Sequence, residues 1–234
     1  MNHRSALSNR ILASIPVTEY QRLSRQLEPV RLKFGQVLYE PGKAIQHVYF
    51  PIDCLISLLT SVDRQRTLEV GMVGREGMAG MPFILGVGVS GVRALVQGEG
   101  EALRMGSPLF RSEFDRNPAL QQALYRYTYA LMAQISQTAA CNRFHDAGER
   151  LARWLLMTRD RIGADEFSLT QGFLAHMLGL RRVGVTEAAS ELKRRDLIVY
   201  TRGQLQILDV PGLKRASCSC YQLVNAVFAR AQRQ

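Results

Sequence analysis

Two adjacent arginines, Arg181 and Arg182, follow Gly179, and behind them Thr186 and Ser190 share a helix face with Arg182, with Val183 and Glu187 beside it. A guanidinium holds its donors in a fixed fork that matches the O6 and N7 acceptors of guanine, and it pairs equally well with phosphate. Glu187 has the chemistry to accept from a cytosine amino group, and Val183 to pack on a thymine methyl. Val185, Ala188, Ala189 and Leu192 fall at i, i+3, i+4 and i+7, which is one apolar helix face. One short helix therefore carries a core face and a face whose residue types suit the reading of DNA.

The remaining chemistry-bearing residues do not converge in the sequence. His3, His47, His145 and His176 are scattered, with neither H-x-H nor H-E-x-x-H spacing, so a metal-dependent jelly-roll enzyme is not expected. The glycines of VGREGMAG and GVGVSG are not followed by G-K-[ST], and no G-x-S-x-G occurs. Cys218-Ser219-Cys220 has too short a spacing and too few neighbours for a zinc site and reads as an incidental pair. No catalytic residue and no metal ligand is assigned, and the chain is not read as an enzyme.

The elements around the arginines follow from punctuation and periodicity. SLTQGFLAHMLGL starts at a polar cap, Ser168 with Gln171 or Thr170 itself, and runs as a short helix to Leu178, with Gly179 in the turn after it. LIVY and QLQIL, separated by Thr201-Arg202-Gly203, read as a hairpin. Helix, glycine turn, helix and hairpin make a winged helix-turn-helix, in which Leu174, Leu178, Leu180, Val185 and Ala188 form a small shared core and Ala175 marks the close approach. Upstream, residues 5–28 read as short helices. Residues 30–106 alternate short apolar runs with turns at EPGK, FPID, GREG and QGEG, as in a sandwich, barrel or jelly roll. From Pro118 to Phe144 no glycine and no further proline interrupts a long helix. Its stripe Leu120, Leu124, Tyr127, Leu131, Ile135 and Thr138 must pack on its own domain or on another helix, and the expectation is a twin helix. A second helix spans roughly Ala147 to Arg161, and residues 162–167 read as a loop.

Composition agrees with this reading. The 234 residues are comfortable for two domains, and 30 Lys+Arg against 20 Asp+Glu leave a formal charge of +10. Residues 143–234 hold 15 basic and 9 acidic residues, so the C-terminal part is the more basic per residue. No run approaches the roughly 18 apolar residues of a membrane span, and MNHRSALSNRILASIP does not read as a signal peptide. Four cysteines make no dense disulfide framework, so the expected compartment is the cytoplasm, with no membrane partner.

The chain resembles the Crp/Fnr family of bacterial transcription regulators over nearly its whole length. The resemblance lies in KFGQVLYEPGKAIQHVYF, in GREGMAGMPFILG through VRALV, in the long helix from 118 and, most specifically, in LTQGFLAHMLGLRRVGVTEAASELKRRDLIVYTRGQLQIL. It implies an α+β chain in three parts. Residues 1–116 would form N-terminal helices and an effector-sensing, cyclic-nucleotide-binding-like jelly-roll β-roll, 117–143 a dimerisation helix, and 144–234 a winged-helix DNA-binding domain. It also implies a homodimer on a palindromic operator of double-stranded DNA, with RNA polymerase as a further candidate partner. The expected DNA contacts are Thr170, Gln171, Arg181, Arg182, Val183, Thr186, Glu187, Ser190 and Arg202. The expected dimer seam is Leu120, Leu124, Tyr127, Leu131 and Ile135.

The effector site implied by the resemblance departs from the family pattern. In the cyclic-AMP-binding members a glutamate follows the cassette glycine, whereas Gly77 here is followed by Met78 and preceded by Glu76. The phosphate-binding arginine of those members falls at Val92, with Arg93 one place late and therefore on the other face of a strand. Glu76, Gly77 and Arg93 are the remaining candidates, and an effector other than cyclic AMP is expected. The first cysteine is Cys54, so the N-terminal iron–sulfur cluster of the oxygen sensors is not expected. Val183 and Glu187 replace the glutamate and arginine of the cyclic-AMP-responsive members, so the operator should differ. The rival reading is a cyclic-nucleotide-type sensor module that docks a protein through the same pair of helices.

Overall fold

The computed structural model describes residues 8–63, 66–201 and 203–233, so Arg202, expected at the hairpin tip, lies outside the described residues. Two short helices, α1 (Arg10–Ser14) and α2 (Val17–Ser24), precede the sheets. Asn9 ties them down: its side-chain oxygen accepts from the Ile11 and Leu12 amides, and its side-chain amide donates to the carbonyls of Pro51 and Gly77. A buried amide with all its hydrogen-bonding groups used in this way fixes the chain's course without a desolvation penalty.

Seven strands follow: β1 (Glu28–Leu32), β2 (Val37–Tyr39), β3 (His47–Pro51), β4 (Leu55–Ser61), β5 (Thr67–Val73), β6 (Arg93–Gly98) and β7 (Gly100–Gly106). They form two antiparallel sheets, β1-β7-β3 and β2-β6-β4-β5, which is the expected jelly roll. Leu32, Phe50, Leu55, Ile56, Met72, Val96 and Met105 are buried in its core. The run LISLL of β4 lacks the alternation of a half-exposed strand because all five residues are buried, with a helix covering the outer face.

Helix α3 (Ser107–Arg116) leads into α4 (Pro118–Phe144). Asn117 caps α4 by accepting from the Leu120 amide, and Pro118 occupies the first turn, where no amide donor is needed. The position of α4 corrects the expected dimer seam. Leu120, Leu124, Tyr127 and Leu131 are buried against their own β-roll, and Ile135 is half-buried beside Gly71. Tyr127 lies so close over Gly77 that a Cβ there would stand 2.2 Å from the ring. Gln134 receives the Met72 amide at 3.0 Å and donates to the Met72 carbonyl at 3.2 Å, which closes the edge of β5. The larger apolar stripe is thus consumed within the chain. The row left exposed is Gln122, Tyr125, Tyr129, Met132, Ser136, Ala139 and Arg143, with alternating spacings of three and four. Tyr129 is 61% and Met132 55% exposed.

Helix α5 (Ala147–Ile162) opens with a reciprocal capping box between Asp146 and Glu149 and ends at Gly163 in the left-handed region. The stretch expected as a loop contains a short strand, β8 (Glu166–Ser168), which joins β10 (Gln204–Ile207) and β9 (Ile198–Thr201) in a three-stranded wing. Between them lie α6 (Gln171–Leu178) and α7 (Arg182–Arg194). Two helices that the sequence reading did not assign, α8 (Val210–Ala216) and α9 (Cys220–Arg233), close the chain, and α9 packs on α4.

Candidate nucleic-acid interface

The glycine turn sets the angle between α6 and α7. Gly179 has φ +60°, its amide donates to the His176 carbonyl, and the Leu180 amide donates to the Ala175 carbonyl, which satisfies the end of α6 as a Schellman motif. Thr170 caps the start of α6 by accepting from the Phe173 amide, so of the two expected caps it is Thr170 that serves. Leu174, Leu178, Val185, Ala188, Ala189 and Leu192 are buried between the helices and the wing, and Leu180 is half-buried at the turn.

That core leaves the other face of α7 in solvent. Arg181 stands at its N-cap, and Arg182, Val183, Thr186, Glu187 and Ser190 are all exposed, Val183 by 67%. The Thr186 hydroxyl lies 2.9 Å from the Arg182 carbonyl and 3.1 Å from the Gln171 side-chain oxygen, and its one proton serves either acceptor. Gln171 is thereby held between the start of α6 and the ridge of α7. Thr170, Gln171, Arg182, Tyr200 and Gly203 enclose an open notch of about 310 Å³ between the two helices and the wing. Tyr200 forms its floor and donates to the Leu169 carbonyl at 2.9 Å; burial pushes its phenol pKa up, and the nearby charge of Arg182 partly offsets this. Thus eight of the nine expected DNA contacts lie on one surface, with Arg202 outside the described residues.

The effector candidates are not brought together. Glu76 is buried and paired with Arg161 of α5 at 2.8 Å, and Gly77 is covered by Tyr127. Arg93 faces Glu40 at 2.8 Å in an ion pair near the surface. The cavity of the β-roll, about 170 Å³, is lined instead by Tyr39, Leu58, Met78, Met81, Val92 and Leu131, among others. Val92, in the bend before β6, lines the cavity, whereas Arg93, the first residue of β6, does not.

A buried polar network joins the roll to α5. Glu69 of β5 accepts from Trp154 Nε1 at 2.9 Å and lies 2.6 Å from the Ser57 hydroxyl. Ser57 is in turn in short contact with the Gln97 side-chain oxygen, and Gln97 donates to Thr158 Oγ1 at 3.2 Å. Burial raises the Glu69 carboxyl pKa to about 7, against the opposing effects of the Ser57 and Trp154 hydrogen bonds and of the charges of Arg161 and Arg153. A protonated Glu69 fits this chain of contacts. It donates to Ser57, which can then donate to the Gln97 oxygen, so that no two acceptors face one another.

Sequence reasoning missed one grouping altogether. Cys218 and Cys220, expected to be an incidental pair, are joined by Cys141 and His145, and the four donor atoms all lie within 4.8 Å of one another. The signal was the i, i+4 spacing of Cys141 and His145, but their partners stand more than seventy residues further along the chain.

Residues 149–216 match the family model of the Crp-like helix-turn-helix domain. FixK2 of Bradyrhizobium japonicum superposes with a TM-score of 0.69 at 13% identity over 82% of this chain and 98% of its own. TTHB099, a CRP-family transcriptional regulator of Thermus thermophilus, gives 0.65 at 17% identity over 80% and 96%. The c-di-GMP-responsive global regulator CLP of Xanthomonas campestris gives 0.63 at 16% identity over 83% and 100%. No curated protein sequence matches the chain. The protein carries a Crp-like helix-turn-helix domain and has, as a whole, the fold of the Crp/Fnr transcription regulators.

Proposed function

We propose that the protein is a sequence-specific DNA-binding transcription regulator of the Crp/Fnr type that acts as a homodimer on a palindromic operator and responds to an effector other than cyclic AMP. The observation that carries this reading is the ridge of α7, where Arg182, Val183, Thr186, Glu187 and Ser190 stand clear of the core beside the notch under the wing. Arg182 reads a guanine, Arg181 and the amides at the start of α6 meet phosphates, and Arg202 follows the neighbouring backbone. The row Tyr125, Tyr129 and Met132 has the spacing of a coiled-coil seam and forms the dimer contact. Two ridges related by that seam then enter successive major grooves.

The reading of the effector rests on the β-roll cavity. Its lining carries no charged side chain, so a cyclic-nucleotide phosphate placed there would lose its hydration without gaining a counter-charge. A small, largely apolar effector fits this lining.

The test is operator selection from randomised DNA, followed by affinity measurements over a range of salt. Phosphate contacts release counterions, so affinity should fall steeply with salt, whereas protein docking need not follow that law. Arg182→Ala should cost about 1–3 kcal/mol at the selected site and relax one base position in each half-site. Full retention of the parental preference would remove the base-reading role.

A further inference from the structure

The end of α4, the loop between α8 and α9 and the first residue of α9 meet at four side chains that neither the proposed DNA interface nor the β-roll uses. Cys141, Cys218 and Cys220 are buried, and His145 is half-buried at the C-cap of α4. Sγ of Cys141 lies 3.5 Å from Sγ of Cys218, and Sγ of Cys220 lies 3.5 Å from Nδ1 of His145. A tetrahedral zinc ion with Zn–S of about 2.3 Å and Zn–N of about 2.0–2.1 Å sets its ligand atoms about 3.5–3.8 Å apart along the edges. The two resolved contacts sit at that spacing. An iron–sulfur cluster holds its outer ligands further apart, because inorganic sulfide and more than one iron separate them; donors confined within 4.8 Å suit a single ion.

The surroundings also suit a site of net negative charge. Three thiolates, one neutral imidazole and one divalent cation sum to minus one. The charges of Arg150 and Arg153 bear on the Cys141 sulfur, and the Nε–H groups of both arginines are buried without an acceptor. Gln137 donates to Sγ of Cys220 at 3.1 Å, a hydrogen bond of the kind that orients a ligating thiolate.

We infer that Cys141, His145, Cys218 and Cys220 form a closed structural site for one zinc-class divalent cation, assigned from the convergence of three thiols and an imidazole at tetrahedral spacing. Binding displaces the three thiol protons to solvent and changes no oxidation state. With all four positions filled by protein, the site leaves no open coordination position for catalysis. It cross-links residues more than seventy positions apart and so fastens the end of α4 to the base of α9. The two arginines beside the cluster are themselves tied to its surroundings: Arg153 donates to Thr138 of α4 at 2.9 Å, and Arg150 donates to the carbonyl of Leu178, the last residue of α6.

The test uses the full-length protein, purified under reducing conditions. Elemental analysis should find one zinc per chain. After removal of the metal with a chelator, cobalt(II) should bind to saturation at one equivalent, with the strong visible bands of a tetrahedral ion and thiolate charge-transfer absorption in the near ultraviolet. Zinc should bleach both. Chelation should lower the melting temperature, and Cys218→Ser and Cys220→Ser should each lose stoichiometric metal, whereas Cys54→Ala should keep it. The inference fails if the folded wild-type chain binds cobalt only weakly with an octahedral spectrum, or if Cys218→Ser gives the same spectrum. It also fails if the protein isolated under reducing conditions holds a Cys141–Cys218 disulfide. Should the serine variants not fold, the wild-type cobalt titration decides alone.

Discussion

Glu69→Gln isolates the buried acid between the β-roll and α5. Folding raises the Glu69 pKa from 4.5 to about 7. Between those values the folded state keeps a proton that the unfolded chain has released, so the native state binds more protons and stability falls as pH rises. That rise in pKa corresponds to roughly 3 kcal/mol, complete once the pH exceeds the folded value. Glutamine has the shape of the protonated acid, and its amide donates to Ser57 where the carboxyl proton would. The variant should therefore match the parent near pH 4.5, show a flatter profile, and exceed the parent by up to about 3 kcal/mol at pH 8. Denaturant midpoints measured from pH 4.5 to 8.5, with the Trp154 fluorescence as one probe, would follow the difference. Parallel profiles for the two proteins would show that Glu69 is ionised in the fold, held by Arg153 and Arg161, and would refute the protonated chain of contacts.

Three further outcomes follow from packing. Met132→Glu should split the dimer in sedimentation while leaving the fold intact, whereas Leu131→Glu places a charge in the core of the roll and should unfold the chain; the reverse pattern would restore the seam first expected. Arg161→Met leaves Glu76 buried without its counter-charge and should cost about 3–5 kcal/mol in chemical denaturation, whereas a surface pair such as Arg93–Glu40 broken by Arg93→Met should cost no more than about 1 kcal/mol. Gly77→Ala drives a methyl into the Tyr127 ring and should cost about 1–3 kcal/mol by the same measurement, with Tyr127→Ala recovering part of the loss.

The winged helix was legible because its determinants are local: a Thr cap, a glycine in a left-handed turn and an apolar face of period 3.6 fall within about forty residues. The displacement of Arg93 from the position that Val92 holds beside the β-roll cavity could likewise be read from a count of residues. The choice of which stripe of α4 is buried could not. Both of its stripes have helical spacing, and the more apolar one invited the assignment, but which stripe meets the roll depends on the roll's surface. Gly77 announces a close approach, while the ring that makes it necessary comes from residue 127. The cysteine and histidine cluster stayed hidden for the same reason, since it exists only after α9 folds back on α4. The three-residue strand β8 is too short to show a period at all.

Gly179 has a second neighbour besides its own helices: a Cβ at that position would stand 2.7 Å from Leu68, near the tip of the β4–β5 hairpin. Thr67 of the same hairpin lies 3.5 Å from His176, and Phe34 of the roll sits against Phe173 with ring centres 5.3 Å apart. The turn that sets the direction of α7 is therefore also where the roll rests on the helix-turn-helix. Under the function proposed above, a ligand that moved the hairpin would act on the angle of α7 at its pivot, with little intervening structure to absorb the displacement. Thermodynamics makes that traffic two-way: whatever factor such a ligand adds to operator affinity, the operator returns to the ligand. The DNA occupied by the protein would then help to set the concentration at which its signal is heard.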